Sequence, residues 1–244
     1  MTRRENALQG ATAKVIAEPR IKLSKLGEDD RLLLIYRAAA RVIHAKGYDA
    51  TSLNDIAEAV GITKGGLYHY IDGKQSLLFK IMNYAMDMLE AEVVTPARSL
   101  SGAEQQLRAV IQLHTQLILD KGIELTILLD ESAGLTPEHL RLITGRRVEY
   151  YKFLRAILQR LKGEGKLRDL DVTIATHNLI GQLQWLPRWY VAGGRLTRER
   201  VIEEFSEAAL TALLRAGSSL RAGKRARPAA AKPALSKSSS RRRK

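Results

Sequence analysis

Between residues 63 and 69 the chain reads Thr63-Lys64-Gly65-Gly66-Leu67-Tyr68-His69, which puts a hydroxyl, an ammonium and two bare backbone positions within one turn. Lys64 can reach a phosphate or a guanine edge, and Thr63 can bond a phosphate or touch a thymine methyl. Two adjacent glycines weaken a helix by roughly 1 kcal/mol each relative to alanine. They also let backbone approach a sugar-phosphate edge closely, although a merely permissive turn would read the same way. Thr51 and Lys74 fall at helix starts, where a side chain and free N–H groups together hold a phosphate. The plainer alternative makes Thr51 a cap and Lys74 a solvated charge. Few groups here can read bases directly, so sequence-dependent DNA shape is expected to contribute to any specificity.

The surrounding pattern says what positions these groups. Ser52 can cap a short helix with Asp55 three residues on; Ile56, Ala57 and Val60 give it an apolar face, and Gly61 ends it. Thr63 can cap a second helix, Lys64 to Tyr70, with Leu67 and Tyr70 facing inward. Asp72 and Gln75 then form a capping box for the next helix. Two short helices joined by a tight turn make a helix-turn-helix, whose second helix lies in a DNA major groove.

This stretch, Thr51 to Leu78, resembles the DNA-binding domain of the TetR (tetracycline-repressor) family of bacterial transcription regulators. That family shows a Thr-rich start, D-I-A-x-x-x-G, a short turn, L-Y-x-Y/H-F and S-K-x-x-L. The matching residues here are Thr51, Asp55, Ile56, Ala57, Gly61, Lys64, Leu67, Tyr68, Tyr70, Lys74 and Leu77. Ile71 stands where Phe is usual and should still fill the core; Gly73 stands where Ser is usual and should loosen the next helix start. In the family, the positions of Tyr68 and His69 meet the DNA backbone. The resemblance further implies a homodimer on a palindromic operator. It also implies a small-molecule effector among the C-terminal helices, whose binding swings the fourth helix and changes the separation of the heads.

Helical periodicity runs through the rest of the chain and yields no convincing strand. Leu32, Ile35, Tyr36, Ala39, Val42 and Ile43 mark a first helix that stops at Gly47. A fourth helix is expected from Asp72 to about Val94. Ser101 and Glu104 form a capping box for a fifth, which Gly122 separates from a sixth, Ile123 to Ala133. Thr136-Pro137 opens a seventh, ending near Gly163 to Gly165. The last two, about 171–191 and 197–216 with Thr197 as cap, carry the apolar faces that the family uses for its four-helix dimer interface. The expected architecture is all-α: nine helices, three in an N-terminal head (29–72) and six in an effector-binding and dimerisation block (73–216). A mobile arm (1–28) and a disordered basic tail (217–244) flank them.

The net charge of +14 is concentrated at the ends. Residues 217–244 contribute +10 and residues 1–28 contribute +3, leaving +1 for everything between. The tail either adds nonspecific phosphate contacts or is a solubilising appendage. With no cysteine in the chain, disulfides and thiolate metal sites are excluded. No apolar run reaches membrane-spanning length and no signal-peptide core precedes the first helix, so a cytoplasmic, nucleoid-associated protein is expected.

Polar groups on apolar faces mark the effector side. Arg147 interrupts the stripe of Leu140, Ile143, Tyr151 and Leu154. It either snorkels or pairs with an anion, with Asp130 and Glu131 as candidate internal partners. The stretch Arg188-Trp189-Tyr190, continued by Gly193-Gly194-Arg195-Leu196-Thr197, resembles the R-W-Y-x-x-G-G-x-L-T segment of TetR members that sense acyl-coenzyme A thioesters. That resemblance implies an acyl chain in the helix bundle, Trp185 on a ring and Arg188 on a phosphate. Packing of Trp185 and Arg188 in the dimer interface fits the same residues. Met82, Met86 and Met88 would give an adaptable wall. His44, His114, His139 and His177 lack metal-ligand spacing and read as structural. No catalytic group, metal site or cofactor motif is expected. Two further readings stay open: a nonspecific nucleoid-type binder driven by the tails, and an activator of the same family.

Overall fold

A computed structural model describes residues 27–216, in which the chain forms nine α-helical segments. These are α1 (Glu28–Lys46), α2 (Leu53–Val60), α3 (Lys64–Tyr68), α4 (Lys74–Leu89), α5 (Thr95–Arg98), α6 (Ala103–Asp130), α7 (Pro137–Gly163), α8 (Val172–Trp185) and α9 (Arg198–Leu213). No strand forms among the described residues; an isolated antiparallel bridge joins Leu167 to Leu214. No described helix is long and apolar enough to cross a membrane. The arm and the basic tail lie outside the described residues, apart from Gly27 and Glu28, where α1 begins.

The head folds as its caps dictate. Asp55 N–H donates to Ser52 Oγ at 3.2 Å and Ser52 N–H returns a bond to Asp55 Oδ2 at 2.8 Å, closing the capping box. Gly61 ends α2 in the left-handed region at φ 81°, a conformation that β-carbons disfavour. Gly66 N–H donates to Thr63 Oγ1 at 3.0 Å and starts α3. Leu67 and Ile71 are fully buried in the same core as Ile35, Ile43 and Ile56, so Ile71 fills the place of the family's Phe.

Several boundaries differ from expectation. Asp72 does not cap α4: Gly73 occupies the cap position at φ 123° with no side-chain bond, and Asp72 instead lies 3.8 Å from Lys80. Ser101 and Glu104 form no capping box either; Gly102 is the cap residue, and Glu104 pairs with Arg108 one turn on. The expected fourth helix does not end at Val94: α4 gives way after Leu89 to a π turn, Glu90–Val94, which leads straight into α5. Pro96 follows that wide turn, where the missing N–H and the ring would otherwise break an α ladder. The expected break between the fifth and sixth helices is present as a non-helical Lys121 (φ −134°, ψ 29°) just before Gly122 inside α6, but the second of the two ends at Asp130 and not at Ala133. α8 ends at Trp185, because Pro187 turns the chain into a 3-10 turn over Leu186–Arg188 rather than kinking a longer helix.

One core runs through the described residues. α1 and α4 from the head side pack on α6, and α7, α8 and α9 surround the other faces of α6. At the end of α6, the turn Ser132–Gly134 brings the chain back against the head. A β-carbon on Gly134 would stand 2.6 Å from the Tyr48 ring and 2.8 Å from Leu78, so only glycine allows this approach.

Candidate nucleic-acid interface and effector cavity

The outer surface of the head carries Thr63, Lys64, Gly65, Tyr68 and His69, all exposed, with Gly66 half-buried. Tyr68 keeps 52% of its surface open although it is aromatic. Neither glycine of α3 has a positive φ. A β-carbon at Gly65 would meet only Thr63 Oγ1 at 3.9 Å, and one at Gly66 would stand 3.3 Å from the same atom. The fold itself therefore has no use for bare backbone at Gly65.

Thr51 and Lys74 are placed differently from the others. Thr51 is 2% exposed, and its hydroxyl donates to the Gly47 carbonyl at 2.8 Å. That corrects the expectation of a phosphate contact from its side chain: the hydroxyl braces the loop between α1 and α2. Lys74 Nζ donates to the Asp49 carbonyl at 3.2 Å and lies 4.2 Å from the centre of the Tyr48 ring. It ties the start of α4 to the same loop. Lys46 and Asp55 add an ion pair at 2.7 Å between α1 and α2. That ammonium and the two Ser52 hydrogen bonds hold the Asp55 carboxyl well below the usual carboxylate range.

Behind the head, α4, α6, α7 and α8 enclose a cavity of about 280 Å³. Met86, Leu89, Ile118, Leu125, Ile180 and Leu183 make it apolar, while His114, Arg147, Tyr150, Tyr151, His177 and Gln184 interrupt that lining. A more open and more polar cleft, lined by Asp130, Arg147, Gly181, Gln184, Trp185 and Arg188, shares Arg147 and Gln184 with the cavity. Of the residues expected around an effector, Met86, Arg147 and Tyr151 line the cavity. Asp130, Trp185 and Arg188 line the adjoining cleft. Met82 does neither: it is fully buried in the core one turn before Met86.

The electrostatics of this region also depart from expectation. Asp130 pairs with Arg188 at 2.6 Å and not with Arg147, because α6 ends at Asp130 and the chain turns away. Arg188 also lies over the Trp185 ring at 5.2 Å, and Trp185 is 61% exposed. Among the described residues Arg147 meets only the Ser132 hydroxyl, at 3.5 Å from both terminal nitrogens, and its buried Nε has no partner there. No carboxylate among the described residues lies within ion-pair distance of it, and burial pushes the guanidinium below its ordinary value. A desolvated cation with under-used donors is costly until an acceptor arrives.

His114 and His177 both line the cavity. His114 Nδ1 lies 2.7 Å from Tyr150 Oη, and the His177 ring packs at 4.9 Å on Tyr151. The available signal was the position of His114 on the stripe of Val110, Ile111 and Ile118, where a polar ring interrupts an apolar face. No group of acidic or histidine side chains among the described residues could hold a metal ion.

Known proteins share this fold. Residues 35–81 match the family described as bacterial regulatory proteins, tetR family, and residues 101–213 match the tetracyclin repressor-like C-terminal domain. AibR, solved in complex with isovaleryl coenzyme A and operator DNA, is 34% identical with a TM-score of 0.68, over 73% of this chain and 97% of its own. PfmR from Thermus thermophilus, a TetR family regulator, is 29% identical with a TM-score of 0.66, over 72% of this chain and 97% of its own. The HTH-type transcriptional repressor KstR2 of Rhodococcus jostii (strain RHA1) is 26% identical over 77% of this chain and 93% of its own. This chain belongs to the TetR family of DNA-binding transcription regulators.

Proposed function

We propose that this regulator is a homodimeric repressor of a palindromic operator and that an acyl-coenzyme A thioester, seated in the α4/α6/α7/α8 cavity, releases it. The observation that carries this reading is Arg147, whose under-used donors stand in the wall shared by the apolar cavity and the polar cleft. A thioester needs both compartments. Its acyl group fits the cavity of about 280 Å³, its carbonyl meets Arg147, and the coenzyme arm must leave through the cleft. There Arg188 exchanges its exposed pair with Asp130 for a phosphate, at little cost since such pairs contribute about 0–1 kcal/mol. AibR, solved with isovaleryl coenzyme A, favours this ligand class, and KstR2, named a repressor, favours repression.

In this reading residues 29–72 engage DNA and residues 73–216 hold the effector and the partner subunit. Thr63, Lys64, Gly65, Gly66, Tyr68 and His69 face the operator, while Lys74 positions the loop beside it. α8 and α9, with Ile174 exposed on α8, supply the dimer face.

Fluorescence anisotropy of the full-length protein on its own upstream DNA, with isovaleryl-coenzyme A, longer thioesters and coenzyme A alone, tests this. Release by a thioester but not by coenzyme A is the expected result. Specific DNA binding that no thioester alters returns Trp185 and Arg188 to dimer packing. Tightened binding would favour a second reading, a co-repressor, which the joint complex of AibR with thioester and operator supports.

A further inference from the structure

We propose that the effector carries an oxygen function on its acyl chain, a hydroxyl or an oxo group, which the His114–Tyr150 pair recognises. The inference rests on the thioester reading and narrows the ligand within it.

His114 lines the cavity from α6 and is 9% exposed. Its Nδ1 is committed to Tyr150 Oη at 2.7 Å, with the rings edge to face at a centroid separation of 5.5 Å. Among the described residues nothing takes its Nε2. Met86, Leu89 and Ile118, in the same lining, are apolar and offer that nitrogen no donor. Neither His114 nor Tyr150 lines the cleft of Trp185 and Arg188, so the pair lies away from the route of the coenzyme arm.

Burial drives both groups to their neutral forms. The His114 ring is pushed down to about 4, and the Tyr150 phenol well above its ordinary value. A neutral imidazole held by a phenol keeps Nε2 as a single donor or acceptor, according to its tautomer. It has no charge with which to hold a carboxylate. Water can serve Nε2 while the cavity is empty, but an acyl chain that fills the cavity must replace that water. A plain alkyl chain would leave a stripped, unpaired nitrogen. A hydroxyl or oxo oxygen restores the bond, and sites built this way reject the analogue lacking the group far more strongly than apolar pockets reject an extra methylene.

The test is calorimetric titration of the full-length protein with matched pairs: butyryl- against 3-hydroxybutyryl-coenzyme A, isovaleryl- against 3-hydroxyisovaleryl-coenzyme A, and hexanoyl- against 3-oxohexanoyl- and 4-hydroxyhexanoyl-coenzyme A. At least one oxygenated member should bind about tenfold or more tightly than its alkyl partner. Tyr150→Phe, which removes one oxygen atom, should erase that preference, as should His114→Gln. If His114→Gln does not fold, Tyr150→Phe decides. Equal or tighter binding of every alkyl member to the wild type overturns the inference and leaves the thioester reading standing. Binding of no thioester at all overturns both.

Discussion

Arg146 and Arg147 are adjacent on α7 yet hold different parts of the molecule. Arg146 Nη1 donates to the Asn83 carbonyl at 3.0 Å and to Asn83 Oδ1 at 2.7 Å, and pairs with Asp87 at 2.7 Å. All three acceptors belong to α4, which enters the head at Lys74. Arg147 faces the cavity and the Ser132 hydroxyl. An effector that draws on Arg147 therefore pulls on the same turn of α7 that grips α4. Arg146→Met should lower stability by about 1 kcal/mol, since Asp87 is exposed and water can serve the acceptors left behind. It should also shrink the effector-induced change in operator affinity while leaving affinity without effector nearly intact. Urea midpoints and anisotropy titrations on one preparation check both; an unchanged effector response would remove Arg146 from the coupling.

Arg147→Met should behave in the opposite way. A partly buried cation with weak bonds contributes little to folding, and an apolar replacement of similar length is often neutral or stabilising. The variant should melt at or above the wild-type temperature, bind operator normally, and lose about tenfold or more in thioester affinity. Calorimetry and a thermal melt suffice to show it.

Gly134 sets a second link between effector side and head. Gly134→Ala forces a methyl group into the Tyr48 ring and Leu78, an overpacking that costs roughly 1–3 kcal/mol. Tyr48→Ala empties the same space at its own cost. The double variant should be less destabilised than the sum of the two, since the residues share one contact. Strict additivity in urea denaturation would mean that the turn relaxes away from the head instead.

The caps, the glycine stops and the buried faces of α1 to α3 were legible because they are local: Ser52, Asp55, Gly61 and Thr63 act on backbone within three or four residues. The cavity was only partly legible. Arg147 announced itself by breaking an apolar stripe. Its true neighbour, Ser132, and the pairing of Asp130 with Arg188 across 58 positions depend on how the end of α6 turns. His114 broke a stripe in the same way, but its meaning required Tyr150, 36 positions on, to be packed against it. Capping boxes were over-read at Asp72 and Ser101, because glycine at the following position took the cap.

His114 also gives a pH dependence. Its folded value of about 4 lies below the ordinary value of 6.5, so between the two the unfolded chain binds more protons. Stability should be full above that ordinary value, fall as pH drops from there to about 4, and lose up to roughly 3 kcal/mol in total at 1.36 kcal/mol per unit. His114→Gln should flatten that part of the urea-midpoint profile. Asp55 acts in a lower window, because its depressed carboxyl keeps its contribution until pH falls below the usual carboxylate range. A wild-type profile that is flat from pH 6.5 to 4 would show the ring titrating normally.

Gly65→Ala separates folding from recognition most sharply. The position has open space and a helical backbone, so alanine should stabilise the head by up to about 1 kcal/mol. If bare backbone at Gly65 exists to meet a sugar-phosphate edge, the same methyl group must hold that edge away. The variant should then melt higher and bind the operator about tenfold or more weakly, with its thioester affinity unchanged. Lys64→Ala should weaken operator and nonspecific DNA alike if it meets a phosphate, and reduce the salt slope by about one. It should relax specificity instead if it meets a guanine. A Gly65→Ala protein that gains stability and keeps full operator affinity would mean that the two glycines are only a permissive turn.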